Sequence, residues 1–567
     1  MKTRYFISAA LLALTTVGCS DLDVDIKSQY TEYPDSEIAL SARINNAYYA
    51  FRGALGRRYD ELISCNSDEY TAVSFDGDYL NGRDMSNISL HMVNADASNS
   101  QLAVYNDIQA GIVNCNQLLM DLGEGEDQAS LTAPLRAVRA FYTFLLMDNW
   151  GDTPIIDYKV VDNNSAIERS PRAEVAKWIE TELLAVRDNC PSEVSESTYG
   201  TPTCWMVDAL LAKLYINWNV YTQDVTSSSW SSTTPNEKLN DCIAACDRVI
   251  KSQLFNLNDG YKEKFMYTNG AQIKDFIYAM PYDAVTAQGM TYARFRTWRR
   301  GQNDNGFYSI EMTNSVGGNM TLTPEFVELF RLPGDDRNTV IAGNTGENID
   351  EESFDVYQYD NATGMPTNVR NTYKGDLVTF SKSISLATGS YTDNSGNVII
   401  RTPDADLNCG ATLTGWTQGY RSIKFFPDIN DYNVYSRNQD NDVPIFRYAD
   451  IILMKCEAIV RGGTATLGDT PQSLFNQIRT YVHAPELNHD PDLQEILDER
   501  GREFLDEHWR RNDLIRFGDL SVTGDLSMII IRMQLIPNIV CYRWHVTYSM
   551  QTPTGNRILD TENNYSI

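Results

Sequence analysis

Histidine is scarce in this chain, with five in 567 residues. His91, His483, His489, His508 and His545 share no metal-ligating spacing. A Gly-x-Ser-x-Gly elbow and a zinc-binding His pair are both missing, so two common signatures of hydrolytic chemistry are absent. Positive charge is also in short supply. Lys and Arg number 47 against 76 Asp and Glu, a net charge of −29 at pH 7, which argues against nucleic acid and anionic headgroups as partners. Beyond the N-terminal segment no apolar run is long enough to span a bilayer; the best candidate, around Met528 to Ile531, is broken by Arg532. No strict 34-residue repeat is visible.

What is present begins at the N-terminus. A basic start (Lys2, Arg4) leads into an apolar run from Tyr5 to Val17, then Gly18 and Cys19. This is the layout of an export signal over 1–18, with Cys19 as the lipid-bearing first residue of the mature chain. Each buried acyl methylene is worth about 0.8 kcal/mol, so two or three chains would hold a soluble domain at a membrane. Thr16 stands where such signals usually carry Leu, and an ordinary signal peptidase cutting at the same bond would leave a bare thiol. Ten cysteines less Cys19 leave an odd number for a disulfide framework. Cys242 and Cys246 share a helix face, as a metal or redox pair or as small buried hydrophobes; with no second Cys or His pair at zinc spacing, the buried reading is favoured.

Periodicity of 3.6 residues predicts helices. Val138, Phe141, Tyr142, Leu145 and Leu146 make one stripe; Val207, Leu210, Leu211, Leu214, Tyr215 and Trp218 another; Tyr448, Ile451, Ile452, Cys456 and Ile459 a third. Further helices are expected over 36–62, 101–122, 172–189, 236–252, 472–482 and 491–511. Pairing across short turns suggests helical hairpins. Residues 63–100 and 285–443 read instead as loops and short strands rich in Gly, Asn and Asp, and function tends to sit on such loops.

Three blocks stand out: LRAVRAFYTFLLMDNWGDTP at 135–154, PIFRYADIILMKCEAIVR at 444–461 and ERGREFLDEHWRRNDLIRFG at 499–518. With CSDLD at 19–23, LLAKLY at 210–215, DFIYAM at 275–280, TPEFVELFRLPGDDR at 323–337 and RSIKFFPD at 421–428, the chain resembles the SusD/RagB family of outer-membrane nutrient-binding lipoproteins from Bacteroidetes, from Cys19 to about Asp519. The resemblance implies a mainly α-helical fold in which tetratricopeptide-like helix pairs (about 36–62, 101–253 and 444–518) scaffold a loop-rich ligand-binding half (about 63–100 and 285–443). It also implies a role without catalysis: capture of glycans, or peptides in some members, at the cell surface and delivery to a SusC-like TonB-dependent transporter. No cofactor is implied. The tail, 520–567, departs from the family's ending, either through a change of reading frame near residue 520 or as a divergent tail that still packs.

The charges of 499–518 are spaced for helical pairs, Arg502 with Asp506, Asp506 with Arg510, and Glu507 with Arg511. Glu499 and Glu503 as a catalytic carboxylate pair is the weaker reading, because they lie among compensating arginines. Arg447, Asp450 and Glu457 are expected to tie helices together, and Gly151 to close a helix. A glycan site needs rings to stack on sugar C–H faces and amides or charged groups for the hydroxyls. Loop residues of that kind are Asp68, Tyr79, Asn81 and Arg83; Trp298, Arg299, Asn303 and Tyr308; and Trp416 near Gln418 and Tyr420. In starch-binding relatives an aromatic arc comes from roughly the first two regions, which favours Tyr79, Trp298 and Tyr308. The competing readings are a lipid-anchored glycoside hydrolase, a peptide-binding member of the family, and a surface scaffold.

Overall fold

The computed structural model describes residues 37–90, 99–123, 125–156, 168–223, 231–299, 312–402 and 406–518. Cys19 and the signal segment, Asn303, Tyr308 and the 520–567 tail lie outside them. The chain falls into two compact units, Met1–Asn45 and Asn46–Ile567. In the first, the described residues begin the helix Glu37–Tyr48.

The second unit is mainly helical, and its helices pack in pairs. Asn99–Leu122 lies against Ala129–Trp150, which also packs on Arg172–Val186; Cys204–Ile216 packs on Leu239–Ser252, and Tyr448–Val460 on Pro471–Tyr481. Local chemistry sets their limits. Ala129–Trp150 ends where Gly151 takes φ 77° and gives its N–H to Met147 O, as expected for a glycine C-cap. Thr470 and Ser473 form a reciprocal capping box with Pro471 in the first turn, and Asp492 and Glu495 form another. Cys242 and Cys246 are both buried in Leu239–Ser252 as free thiols.

The predicted helix 491–511 is two helices. Leu493–Glu503 stops at Phe504, and Arg510–Phe517 starts anew. Between them Asp506 and His508 have φ of 64° and 68°, which no right-handed helix contains. The helical pairs expected there therefore do not form. Asp506 instead accepts from Arg296 Nε at 2.9 Å and Tyr70 OH at 2.8 Å. Glu507 takes Lys424 Nζ at 2.6 Å and Arg447 Nε at 2.7 Å. Arg502 turns back to Glu499 at 2.8 Å.

These residues are the hub of the molecule. Arg447 also reaches Asp275 at 2.6 Å and Glu503 at 2.8 Å; Arg337 bridges Glu499 at 2.8 Å and Glu503 at 3.2 Å. Asp450 joins Lys213 and Arg500, and Glu457 joins Arg516 and Arg461. All these carboxylates are buried. Burial alone would raise Glu499, but Arg337, Arg502 and Arg479 outweigh it and hold it at about 2. Burial would likewise raise Asp275, yet Lys264 and Arg447 bring it to about 2. Glu499 and Glu503 are thus buried members of a structural ion-pair network with Arg337, Arg447, Arg479 and Arg502.

The hub also carries the small sheets. Phe276–Met280 pairs antiparallel with Val443–Arg447, Val443 opposite Met280, so the DFIYAM and PIFR segments meet as one ribbon. Tyr70–Ala72 pairs with Met320–Leu322, Tyr70 opposite Leu322. Four further two-strand ribbons lie within 353–400.

Candidate functional site

The loops after Tyr70–Ala72 and before Met320–Leu322 converge beside a short π-helix, Ala54–Tyr59. Between them is a cleft of about 410 Å³, lined by Arg57, Asp78, Tyr79, Leu80, Asn81, Arg294, Phe295, Arg299, Ser315, Val316, Gly317, Asn319 and Trp416. Leu80, Phe295 and Val316 are buried and give it an apolar floor. The first loop is tightly wound: Asp76, Gly77, Asn81, Gly82 and Arg83 all have positive φ. Asn81 and the glycines suit that backbone; Arg83 at 83° is a strained position for a long side chain.

Polar groups in the cleft are mutually held. Arg57 donates to Glu61 Oε1 at 3.1 Å and to Asn81 Oδ1 at 3.2 Å, while Asn81 Nδ2 donates to Glu61 Oε2 at 2.6 Å. Tyr79 OH donates to Asp406 Oδ1 at 3.1 Å and accepts from Arg83 Nη2 at 2.6 Å, and the Arg83 guanidinium lies 4.5 Å from the Tyr79 ring centre. Burial pushes the Tyr79 phenol up to about 12, so it stays protonated and able to hydrogen-bond. Arg299 pairs with Asp78. Asn319 is fixed by Val73 O at 3.2 Å. Two guanidiniums approach the Phe295 ring, Arg57 at 5.0 Å and Arg294 at 4.8 Å from its centre. The Trp416 indole meets Tyr373 edge-on at 5.6 Å, and its N–H has no hydrogen-bond partner among the described residues.

Of the residues singled out in sequence, Tyr79, Asn81, Arg299 and Trp416 line this one cleft although up to 337 positions apart in the chain. Arg83 sits behind Tyr79 and buttresses it. Two others are elsewhere. Trp298 is 0% exposed, with its ring edge-on to Tyr373 at 5.1 Å; it packs in the core and offers no face to a ligand. Asp68 takes Arg510 Nε and Nη2, both at 2.7 Å, in a bidentate ion pair, and serves to anchor its loop. Near Trp416, Tyr420 is buried against Phe354 at 4.0 Å, and Gln418 accepts from Ser385 N. Sequence reading missed Arg57, Arg294, Phe295 and Asn319. Arg57 lies inside a predicted helix, where nothing marks a local π-turn, and the other three sit in aperiodic stretches.

Among the described residues no cluster of three or more His, Cys, Asp or Glu could hold a metal ion, and no helix is long and apolar enough to cross a membrane.

Helix pairs bearing a loop-built cleft of rings, amides and guanidiniums define a binding scaffold. A model of the SusD family matches residues 274–564, just over half the chain, and the protein belongs to that family. The match does not stop at Asp519 but takes in most of the tail, so the family pattern extends beyond the point expected from the motifs. The starch-binding protein SusD of Bacteroides thetaiotaomicron is 26% identical over 400 residues, 68% of this chain and 64% of its own length; the chain thus spans less than two thirds of that relative. Among solved structures, a laminarin-binding SusD-like protein superposes with a TM-score of 0.60 at 19% identity, covering 88% of this chain and 97% of its own. Surface glycan-binding protein A from Bacteroides uniformis gives 0.59 at 18% identity, covering 88% and 92%. At such identities the superpositions establish the fold.

Proposed function

We propose that this protein is a cell-surface glycan-binding lipoprotein, anchored in the outer membrane through Cys19, that captures oligosaccharides and passes them to a SusC-like TonB-dependent transporter without catalysing a reaction. The observation that carries the reading is the cleft: Tyr79 and Trp416 supply rings beside Asn81, Asn319 and Arg299, the mixture that sugar C–H faces and hydroxyls require. Relatives named for binding starch, laminarin and surface glycans support a carbohydrate as the ligand class. A shallow site of this size implies modest affinity. That suffices when the receiving channel is adjacent, because the local ligand concentration is high.

Affinity electrophoresis and calorimetry against a panel of oligosaccharides test the reading. Binding to at least one glycan is expected, weakened about fivefold to tenfold by Trp416→Ala or Tyr79→Ala, the scale of one lost aromatic contact. Absence of binding across the panel would overturn it, and release of shortened products would overturn the non-catalytic part. The mass of the mature N-terminus tests the anchor: acyl chains on Cys19 are expected, and a bare thiol would remove it.

A further inference from the structure

The cleft is cationic, although the protein as a whole is strongly acidic. Among the described residues, Arg57, Arg294 and Arg299 line it against one carboxylate, Asp78. The described carboxylates within reach are already engaged. Asp78 pairs with Arg299, and Glu61 is shared between Arg57 and Asn81. The Arg294 guanidinium has no hydrogen bond or ion pair among the described residues, and it lies 4.8 Å from the centre of the Phe295 ring. Arg437, nearby, is spent on Ser315 O and Oγ, at 2.8 Å each.

From this arrangement we infer that the cleft selects anionic glycans, sugars bearing carboxylate or sulfate groups, with Arg294 as the residue that receives the anion. The inference deepens the glycan reading and rests on it. A guanidinium offers a fork of donors matched to carboxylate and sulfate oxygens, and a partly desolvated one left without an acceptor is a standing cost that such a ligand removes. Burial, then the neighbouring charges of Arg57 and Arg437, lower the proton affinity of Arg294, against a smaller opposing pull from Tyr432 and Glu61. The net charge of −29 does not prevent entry. At about 0.15 M salt charges are screened beyond about 8 Å, so the guanidiniums in the cleft govern a ligand already inside it.

The test uses the full mature protein and needs no variant at first. Calorimetry compares uronate hexasaccharides of galacturonate, glucuronate and mannuronate backbones with their methyl esters, which keep the rings and lose the charge. Sulfated galactan oligosaccharides and their desulfated forms are a second arm, and an acidic hexapeptide a third. We expect at least one uronate or sulfated sugar to bind about tenfold tighter than its uncharged counterpart. The preference should vanish in Arg294→Gln and partly survive in Arg294→Lys, with unchanged thermal unfolding. The sulfated and uronate arms tell the two anion sources apart. Glycans that bind equally well with and without charge would overturn the inference and leave glycan capture standing. If no sugar of either kind binds, or only the peptide does, the glycan reading falls and this one with it.

Discussion

Trp298 and Trp416 both approach the Tyr373 ring edge-on, at 5.1 and 5.6 Å, yet they do different work. Trp298 fills the core, and Trp298→Ala is expected to cost about 3–5 kcal/mol by leaving a cavity, readable as a lower urea midpoint. Trp416→Ala, at a half-buried position, should cost less stability and more affinity; equal loss of stability in the two variants would contradict their assignment. Nothing in the sequence separates them, because burial in an aperiodic loop is decided by distant chain, and a ring looks alike on either side of the surface. Asp442 illustrates another residue-level effect. Burial pushes its carboxyl up to about 7, with Tyr282 N and Tyr199 OH donating to its oxygens at 2.7 Å each. An acid raised from its unfolded value of 3.8 stabilises the fold fully below that pH and loses the contribution as pH rises through about 7. Asp442→Asn should therefore gain stability on the wild type between pH 5 and pH 8, as followed by urea unfolding at both; parallel curves would contradict the placement.

Among elements, the π-helix Ala54–Tyr59 places Arg57 in the cleft and depends on a close backbone approach. A Cβ at Gly56 would lie 2.4 Å from Gly289 O, and Gly56 O accepts from Thr291 N at 3.0 Å. Gly56→Ala is expected to cost about 1–3 kcal/mol and to weaken ligand binding as well, since the displaced turn carries Arg57. A variant with native stability and affinity would show that the approach is loose. Capping is simpler: Asp492→Ala should cost about 1 kcal/mol, because Asp492 Oδ1 accepts from Glu495 N at 2.8 Å. The helices were legible where apolar stripes recur, as in Ala129–Trp150 and Tyr448–Val460. The break at Phe504 was not, because no Gly or Pro marks it and the charges that follow repeat at helical spacing. Their true partners, Arg296, Lys424 and Arg447, arrive from segments more than 50 positions away.

At the scale of the molecule, the buried ion pairs set its response to acid. Glu499 and Asp275 are held at about 2 in the folded protein against their ordinary 4.5 and 3.8. Their contribution is complete above those values and lost as pH falls toward 2. Cooperative loss of tertiary structure is expected in that window, followed by tryptophan fluorescence. Glu499→Gln, which strips the carboxylate from Arg337, Arg479 and Arg502, should cost about 3 kcal/mol and blunt the acid limb; an unaltered limb would place the sensitivity elsewhere.

The same hub imposes an order in time. Asp68 is held by Arg510, 442 positions later, and Tyr70 by Asp506, 436 positions later. A chain emerging from its N-terminus can pack its early helix pairs as they form, but the loop that bears Tyr79 and Asn81 must wait for nearly everything else before it is pinned. Contacts so far apart are slow to make. For most of its assembly the protein would therefore be a folded helical body with an unfinished mouth, able to bind only after its last helices dock.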